Sequence, residues 1–541
     1  MPQKLNILPC ALAFAVLVAT ASAGAADPPP AGDEVIHDVL SLGVPAPGLA
    51  PLRGAEAEGP FQRLRIANVM LIDGTGAPPV GPVHIDITGD RITGIVEVGG
   101  TRSVNEQAAA DGTRVIEGKG AYVLPGFINT HDHMGTPTHL YGGQLTDVEY
   151  VFKLLLAHGV TTVRDPGSVL GLRWTAQLRQ LSAEGRITAP RLLAYALFPE
   201  RTPNAEVARA WVRAARRNGA DGVKFLGADP EVFAAAIEEI NKLGMGSAYH
   251  HSQLSVTRQH ALRSAELGLQ SIEHWYGLPE AMFEDRTVQA YPPDYNYNNE
   301  QDRFGQAGRL WQQTAPPGSP IWKDTIARLL KTNVTLNPTF GVYEVSRDLS
   351  RAQRLEWHAE YSMPYMLKSW EPNPRAHGSF FYDWTTADEI AWRNNYRLWM
   401  RFVNDFKNAG GRVGVGADSG FMFNTWGFGY IREFEMLQEA GFHPLEVLKA
   451  ATLNGAQLLR MERDIGTIAI GKKADLVIVQ ENPLRDFKVL YGTGHRMVDR
   501  LTGKASISEG IRYTIKDGVV FDAKMLLEQV RALVAAKKKP Q

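Results

Sequence analysis

A chain of 541 residues is too long for one small domain and suits one large domain with a smaller one beside it. Its 57 basic and 58 acidic residues leave a formal net charge of −1, which gives no electrostatic reason to expect nucleic acid or an anionic membrane as a partner. The single cysteine, Cys10, excludes an internal disulfide, so core packing must stabilise the fold.

The first 26 residues have the pattern of a secretory signal peptide. Lys4 precedes an apolar stretch, and the small residues of ATASA and AGAA offer cleavage sites. The apolar stretch is short for a membrane span, so we expect no stable span after cleavage; an uncleaved anchor is the alternative. The protein is therefore predicted to be exported, either to the periplasm or out of the cell. Residues 27–60, rich in Pro, Gly and Ala, are predicted to be a leader or linker.

Residues 61–125 and 464–525 are predicted to be rich in β-strands. Stretches such as RLRIANVML, VHIDITGDRITGIV and GIRYTIKDGVVF alternate apolar and polar residues and are broken by Gly and Asp, which is typical of antiparallel strands and hairpins. We expect these two segments to pair into one small β-sandwich domain. The middle of the chain would then be an insertion between them.

The middle of the chain, residues 126–463, alternates short apolar stretches with helical ones, as parallel sheets do. The candidate strands are VLPGFINTH, GVTTVRD, PRLLAYALF, DGVKFLG, GSAYHH, QSIEH, VTLNPTF and RVGVGAD. Eight strands close a (β/α)₈ TIM barrel, so the predicted fold class is α/β, a TIM barrel with a small β-sandwich domain. An open doubly wound sheet is the alternative, although no G-x-G-x-x-G follows any of these strands. Residues 526–541 are predicted to be a C-terminal helix or tail.

Two long connections interrupt the strand and helix pattern, around residues 276–333 and 341–388. Connections of this length are usually lids, binding loops or oligomer contacts, and simple surface decoration is the alternative. Their Tyr, Trp and Phe content favours a pocket wall, and a homo-oligomer is left open.

Histidines and an aspartate, which are side chains that bind metals, lie at the ends of several predicted strands, and one lysine lies inside another. They are, in chain order, His131, His133, Lys224, His250, His251, His274 and Asp418. In a barrel the carboxyl ends of the strands meet at one face, so these side chains are expected to converge. Each has a simpler interpretation alone: a structural histidine, an ion-paired lysine or a turn-capping aspartate. These simpler interpretations would all have to be correct at the same time, at the ends of several strands and in this order. We therefore predict a metal site.

The same stretches resemble a known family. THDHMG, DGVKFLG, SAYHHSQ, SIEH and GADSG, in this order, resemble the metal-binding pattern of the amidohydrolase superfamily. VLPGFINTHDH, GVTTVRDPGS, HPLEVLKAATLNGAQLL and IGTIAIGKKADLVIV are similar to its imidazolonepropionase- and prolidase-like branch. The resemblance covers roughly residues 63–525 and implies a barrel with a small β-sandwich. It specifies the superfamily far better than it specifies a substrate.

The resemblance also implies a ligand set for two divalent metal ions. Lys224 matches the position that two-metal members carry as a carbamate formed with CO₂, which bridges the metals. The implied ligands are His131, His133 and Asp418 for one ion, and His250 and His274 for the other. Zn²⁺ suits imidazole and carboxylate ligands best, with Mn²⁺, Co²⁺ and Ni²⁺ as alternatives.

The adjacent histidines need a choice. Neighbouring residues of a strand point to opposite faces, so only one of His250 and His251 can point inward. A small residue, any residue and then histidine is the usual pattern of the branch, and Ala248-Tyr249-His250 fits it. We predict His250 as the ligand, with His251 and Tyr276 as candidate substrate contacts.

This site predicts a hydrolytic enzyme for a small-molecule substrate. Two cations lower the pKa of a bridging water enough to supply hydroxide near neutral pH. Asp418 is predicted to take its proton and pass it to the leaving amine. The predicted reaction is hydrolysis of the amide or peptide bond of a dipeptide or an N-acyl amino acid.

Three alternatives are a hydrolase of cyclic amides, imidazolones or lactones, a one-metal deaminase, and a non-catalytic metal-binding protein. Lys224 argues against the deaminase, and the filled ligand positions argue against the binding protein.

Overall fold

The computed structural model describes residues 48–98, 111–135, 145, 147–373, 381 and 383–538. The predicted signal peptide and most of the predicted leader therefore lie outside the described residues. Within the described residues, no helix is both long and apolar enough to cross a membrane.

Strands fall into two large sheets and one hairpin. Those of the described residues are, in chain order, β1 (Ala57–Glu58), β2 (Leu64–Leu71), β3 (Val80–Thr88), β4 (Arg91–Glu97), β5 (Arg114–Glu117), β6 (Tyr122–Pro125), β7 (Phe127–Asn129), β8 (Val160–Pro166), β9 (Arg191–Leu197), β10 (Gly222–Phe225), β11 (Gly246–Tyr249), β12 (Ser271–Glu273), β13 (Thr335–Asn337), β14 (Arg412–Val413), β15 (Leu476–Val479), β16 (Arg496–Val498), β17 (Ala505–Ile507), β18 (Ile511–Lys516) and β19 (Val519–Asp522).

The mixed sheet combines strands from both ends of the described chain. Its order is β1-β19-β18-β15-β6-β2-β3-β4, and β5 also pairs with β2. Apolar residues at alternate positions of β2 and β3 form a separate core with β15 and β18. The predicted pairing of the two segments is therefore present, but the strands form one continuous sheet. The last residues of the predicted leader also belong to it, because β1 pairs with β19.

The eight predicted parallel strands are all present as one sheet, from β7 to β14 in sequence order. The sheet curls until its two edges are joined: Thr130 donates its backbone N–H to Val415 at 2.8 Å, and Ala417 donates to His131 at 3.0 Å. A Cβ at Gly416 would lie 2.5 Å from that of His131. Only glycine therefore lets the last strand approach the first so closely.

Helices cover the outer face of the parallel sheet and the connections. They are α1 (Val148–Ala157), α2 (Leu172–Ala183), α3 (Ala205–Arg217), α4 (Pro230–Lys242), α5 (Ala261–Glu266), α6 (Glu300–Ala307), α7 (Pro320–Leu330), α8 (Glu344–Arg347), α9 (Leu349–Gln353), α10 (His358–Tyr361), α11 (Pro364–Ser369), α12 (Thr386–Asn408), α13 (Phe428–Glu439), α14 (Pro444–Lys449), α15 (Gly455–Leu458) and α16 (Ala523–Lys538).

The predicted helices are present, one of them shortened. PEVFAAAIEEINKLG forms α4, with Pro230 at its first position, where a missing N–H costs nothing. VTRQHALRSAELG forms only α5, because the side chain of His260 caps the helix by accepting from the backbone of Arg263. The predicted C-terminal helix is α16, which packs against α1.

Ion pairs join the two large sheets at the amino ends of the parallel strands. Arg191 at the start of β9 pairs with Asp475 at 2.6 Å and with Asp517 at 2.5 Å. Asp517 also pairs with Lys473 at 2.7 Å and Lys516 at 3.0 Å. Four of these residues also line a cavity of about 670 Å³, here called the basal cavity: Arg191, Lys473, Lys516 and Asp517.

Candidate metal centre

His131, His133 and Asp418 come together at the carboxyl ends of β7 and β14. The Nε2 atoms of His131 and His133 lie 3.6 Å and 3.5 Å from Oδ1 of Asp418. All three side chains are buried, and one donor atom from each fits within 4.8 Å of the others. Ligands about 2.0–2.2 Å from a tetrahedral ion lie about 3.3–3.6 Å apart, so these separations suit one shared cation better than direct hydrogen bonds.

A network of hydrogen bonds fixes the two histidines against the segment that follows β14. The Asn129 Oδ1 atom accepts from the backbone N–H groups of His131 and Ala417, both at 3.2 Å. Asp132, between the histidines, accepts from the Asn129 amide and from the backbone N–H of Ser419, both at 2.8 Å. The backbone of Asp418 also donates to the carbonyl of His131 at 2.8 Å. The predicted ligands are thus held by groups that the sequence reading did not single out.

His250 and His274 lie beside this group. The Nε2 atom of His274 is 3.8 Å from Oδ2 of Asp418, and its Nδ1 lies 2.5 Å from the Thr339 hydroxyl. The ring centroids of His250 and His274 are 4.7 Å apart. The Thr339 contact fixes which nitrogen of His274 faces Asp418.

The structure separates the two adjacent histidines. His251 is fully buried away from the group, stacked on Tyr249 at 3.8 Å, with Nε2 2.9 Å from the Ser264 hydroxyl. Tyr276 is also fully buried, with its ring 5.3 Å from that of His250. Neither residue is among those that line the cavity described below, so the structure does not place either as a substrate contact.

Three of the residues around the group have left-handed backbone conformations. The φ angles are +61° at His274, +51° at Thr339 and +48° at Asp418. Such a conformation costs about 1–3 kcal/mol for a residue other than glycine and is unusual for a β-branched threonine. Hydrogen bonds offset this cost: the backbone of His274 donates to Asn337 at 2.9 Å, and that of Asp418 donates to His131. The backbone is therefore held so that these side chains converge.

Lys224 lies in β10 with its side chain inside the sheet. The residue is only 3 % exposed, and no hydrogen bond or ion pair of its ammonium is found among the described residues. Burial lowers the pKa of Lys224 to about 8, against the opposing effect of the Glu273 and Asp418 carboxylates. An unpaired buried lysine that faces histidines and a carboxylate needs an explanation other than an ion pair.

Glu273 is the main residue that sequence reasoning missed. It is fully buried, one position before His274, and one carboxylate oxygen, Oε2, contacts Nδ1 of His131. The other oxygen, Oε1, accepts from Arg164 at 2.7 Å, and Asn337 donates to Oε2 at 2.7 Å. Burial favours the neutral acid, but Arg164 and then Lys224 hold the pKa of Glu273 below its ordinary value. The carboxylate therefore orients the His131 ring and leaves its Nε2 facing Asp418. The sequence signal that could have identified Glu273 was a charged residue inside the short predicted strand SIEH.

All six predicted ligands line one cavity of about 370 Å³, here called the histidine cavity. These lining residues are His131, His133, Lys224, His250, His274 and Asp418. The two long connections also contribute to its wall, the first with Tyr297, Asn298, Glu300, Arg303 and Phe304, the second with Val342 and Tyr343. The cavity lies at the carboxyl ends of the parallel strands, where barrel enzymes bind substrates.

Comparisons with known proteins agree with this architecture. Residues 400–520 match the sequence model of the amidohydrolase family. The chain is 34 % identical over 84 residues to a 5-methylthioadenosine/S-adenosylhomocysteine deaminase of Thermoanaerobacter pseudethanolicus, a match over 16 % of this chain and 17 % of that relative's length.

Solved structures are similar over most of the chain. A crystal structure of a Xaa-Pro dipeptidase with bound methionine in the active site has a TM-score of 0.55 at 18 % identity and covers 85 % of this chain and 100 % of that one. A bottromycin amidohydrolase has a TM-score of 0.58 at 20 % identity over 90 % of this chain and 91 % of that one. At these identities the likeness establishes the fold.

Proposed function

We propose that this protein is a metal-dependent hydrolase that breaks an amide or peptide C–N bond in a small molecule, a dipeptide or an N-acyl amino acid. The observation that carries the proposal is the convergence of four histidines, one aspartate and one unpaired lysine on the histidine cavity. The match of residues 400–520 to the amidohydrolase family and the fold shared with a Xaa-Pro dipeptidase support it.

The donor set fits divalent metal. The Nδ1 atom of His133 lies 3.5 Å from Oδ1 of the buried Asp165, and its Nε2 atom, like that of His131, faces Oδ1 of Asp418. His131, His133 and Asp418 would hold one ion, and His250 and His274 the second. Zn²⁺ suits this mixture of imidazole and carboxylate.

Lys224 would join the two ions as a carbamate. Its neutral amine nitrogen attacks the carbon of CO₂, an N–C bond forms, and one N–H proton leaves to solvent. The product carries a negative charge and two ligand oxygens where the lysine carried a positive charge. The absence of a carboxylate partner for Lys224 among the described residues supports this role.

The chain's own groups then provide positioning and proton transfer. Bound metal supplies Lewis-acid activation of the attacking water and of the scissile carbonyl. Asp418 accepts the proton of the attacking water and delivers it to the leaving nitrogen, as the C–N bond breaks. Burial raises the pKa of Asp418, against the opposing effect of His133 and Lys224, which suits a carboxylate that must hold a proton briefly. Glu273 keeps His131 in one orientation throughout.

Other reactions on the same site are the second candidates. Ring opening of a cyclic amide, imidazolone or lactone needs the same activated water and carbonyl. The short sequence match to a deaminase makes deamination another candidate, but a one-metal deaminase site would give Lys224 no ligand role. We also propose that the protein is exported and works on small molecules outside the cytoplasm, as residues 1–26 predict.

A screen of purified protein tests the function. Metal-loaded protein should hydrolyse at least one member of a panel of dipeptides and N-acyl amino acids, with release of a free amine. A protein that opens lactones or cyclic amides but leaves the whole panel intact would contradict the proposed substrate class. Expression of the full chain with cell fractionation checks export.

A further inference from the structure

Arg303 is a charged residue of the histidine cavity that the proposed chemistry does not use. It lies in α6, within the long connection between β12 and β13, and lines the cavity together with His250 and His274. It is half-buried, and removing a guanidinium partly from water is costly without a counter-charge.

No carboxylate of the described residues lies within ion-pair distance of Arg303. Its Nε donates to the side-chain oxygen of Gln253 at 3.1 Å, which leaves both terminal nitrogens without such a bond in the described part of the chain. Arg258, another arginine of this wall, differs because it is paired with Asp229.

Aromatic rings hold the Arg303 guanidinium in place. Its central carbon lies 4.8 Å from the ring centroid of Tyr297 and 5.1 Å from that of Phe304. A guanidinium stacked on two rings and bonded through Nε loses little further freedom on binding, so its terminal nitrogens are pre-organised as a fork.

Arg303 borders the same cavity as the six predicted ligands. A cavity of about 370 Å³ has room for one small acylated amino acid. In an N-acyl amino acid the free carboxylate is attached one carbon away from the leaving nitrogen. A carbonyl held beside Asp418 therefore leaves that carboxylate within the same cavity, whose wall includes Arg303.

We propose that Arg303 binds the free carboxylate of the substrate's leaving amino acid and thereby selects acids over the corresponding amides. The inference rests on the proposed function and deepens it by naming the residue that recognises the α-carboxylate carried by the leaving group of a dipeptide or an N-acyl amino acid. Bidentate arginine–carboxylate pairing provides both strength and orientation.

The test compares N-acetyl-L-amino acids with their C-terminal carboxamides as substrates of the metal-loaded full chain. The wild type should prefer the acids, and Arg303→Met should lower kcat/KM for the acids about 10-fold or more, mainly through KM, because charge-assisted bonds are lost. The same variant should lower kcat/KM for the carboxamides much less, because a neutral amide does not form the charge-assisted pair. Arg303→Lys should recover part of the loss, since it restores the charge without the fork.

Arg286→Met is the matched control. Arg286 lies in the same connection, on the surface, paired only with its neighbour Asp285 among the described residues, and should not change either substrate's kinetics. An equal loss for acids and carboxamides would mean that Arg303 only balances nearby Glu200 or Glu300, and it would overturn the inference. If the wild type hydrolyses the acids and the carboxamides equally well, the inference about Arg303 is overturned but the proposed function stands. Wild type that hydrolyses no amide overturns the proposed function, and the inference with it.

Discussion

Each end of the parallel sheet has a cavity lined by one buried lysine, and the two lysines differ in their surroundings. Lys516 in the basal cavity lies 3.0 Å from an Asp517 carboxylate oxygen and donates to the Ser182 carbonyl at 3.2 Å. Lys224 in the histidine cavity has no such partner among the described residues, although it is equally buried. The basal cavity is the larger of the two, and Lys516, its buried lysine, already has an ion-pair partner.

This contrast shows why volume alone does not identify a functional site. The basal cavity is nearly twice as large, at about 670 Å³ against about 370 Å³. Its main ion pairs are complete and join the two sheets, which is a structural role. In the histidine cavity, donor atoms of His131, His133 and Asp418 face each other at distances that suit a cation between them. Unsatisfied polar groups in a fixed arrangement therefore indicate the reactive end.

The largest expected effect comes from replacing the two lysines in turn. Lys224→Ala should abolish hydrolysis, because it removes the proposed carbamate bridge, while leaving a folded protein. Lys516→Met should leave kcat/KM unchanged and lower the melting temperature, because Asp517 loses one partner. Steady-state kinetics and thermal melts of both variants measure this. Equal activity losses in the two variants would remove the distinction between the cavities.

Asp418→Asn should give the next largest loss. The amide cannot accept a proton, so kcat should fall about 10²–10⁴-fold, the usual contribution of a positioned general base. The fold should persist, since the backbone bond from Asp418 to His131 does not involve the side chain. Wild-type kcat in the Asp418→Asn variant would show that another group carries the proton.

Glu273→Gln tests whether the contact of Glu273 with the His131 ring contributes to metal binding. It should reduce metal affinity or activity about 10–100-fold, because the His131 ring loses its charged acceptor. It should also lower the free energy of unfolding by about 3–5 kcal/mol, because Arg164 stays buried without a counter-charge. Metal titration and chemical denaturation separate the two effects. Loss of stability with unchanged metal affinity would restrict Glu273 to a structural role.

Asp517→Asn should have the smallest effect on function and act on stability alone. Its carboxylate contacts Arg191, Lys473 and Lys516, so the free energy of unfolding should fall by about 1–3 kcal/mol, with metal content and kcat/KM unchanged.

The same interaction predicts a pH dependence. Burial opposes ionisation of Asp517, but Arg191 and Lys516 hold its pKa below the ordinary value of about 4. Because the pKa of Asp517 is lower in the folded protein than in the unfolded one, its carboxylate stabilises the fold fully above about pH 4. This stabilisation is lost progressively as the pH falls from there toward the depressed pKa. Below about pH 4 the wild type and Asp517→Asn should therefore converge in denaturant midpoint. Parallel pH profiles of the two proteins would contradict this assignment.

The sequence was sufficient to predict the parallel strands because their apolar stretches and turn residues are local. VLPGFINTH was predicted as one strand, but it divides at Gly126 into β6 of the mixed sheet and β7 of the parallel sheet. That division depends on which neighbours pair with each half, Val477 with Leu124 and Val160 with Phe127, and these lie far away in sequence.

The predicted metal ligands could also be proposed from local sequence. The residues that hold those ligands in position could not be proposed in this way. Histidines at strand ends are visible in the sequence, and strand alternation allows only one of His250 and His251 to face the cavity, which in the structure is His250. Glu273, Arg164 and Asn337 act on His131 only through the fold, since they come from three other strands. Arg303 likewise enters the cavity from a connection without a regular pattern.

Metal analysis of the purified full chain tests the central claim most directly. We predict two divalent ions per chain in the wild type and in Lys516→Met, and loss of at least one in Lys224→Ala. A Lys224→Ala protein that keeps two ions and full activity would contradict the carbamate bridge. Wild type that binds no stoichiometric metal would contradict the metal centre itself.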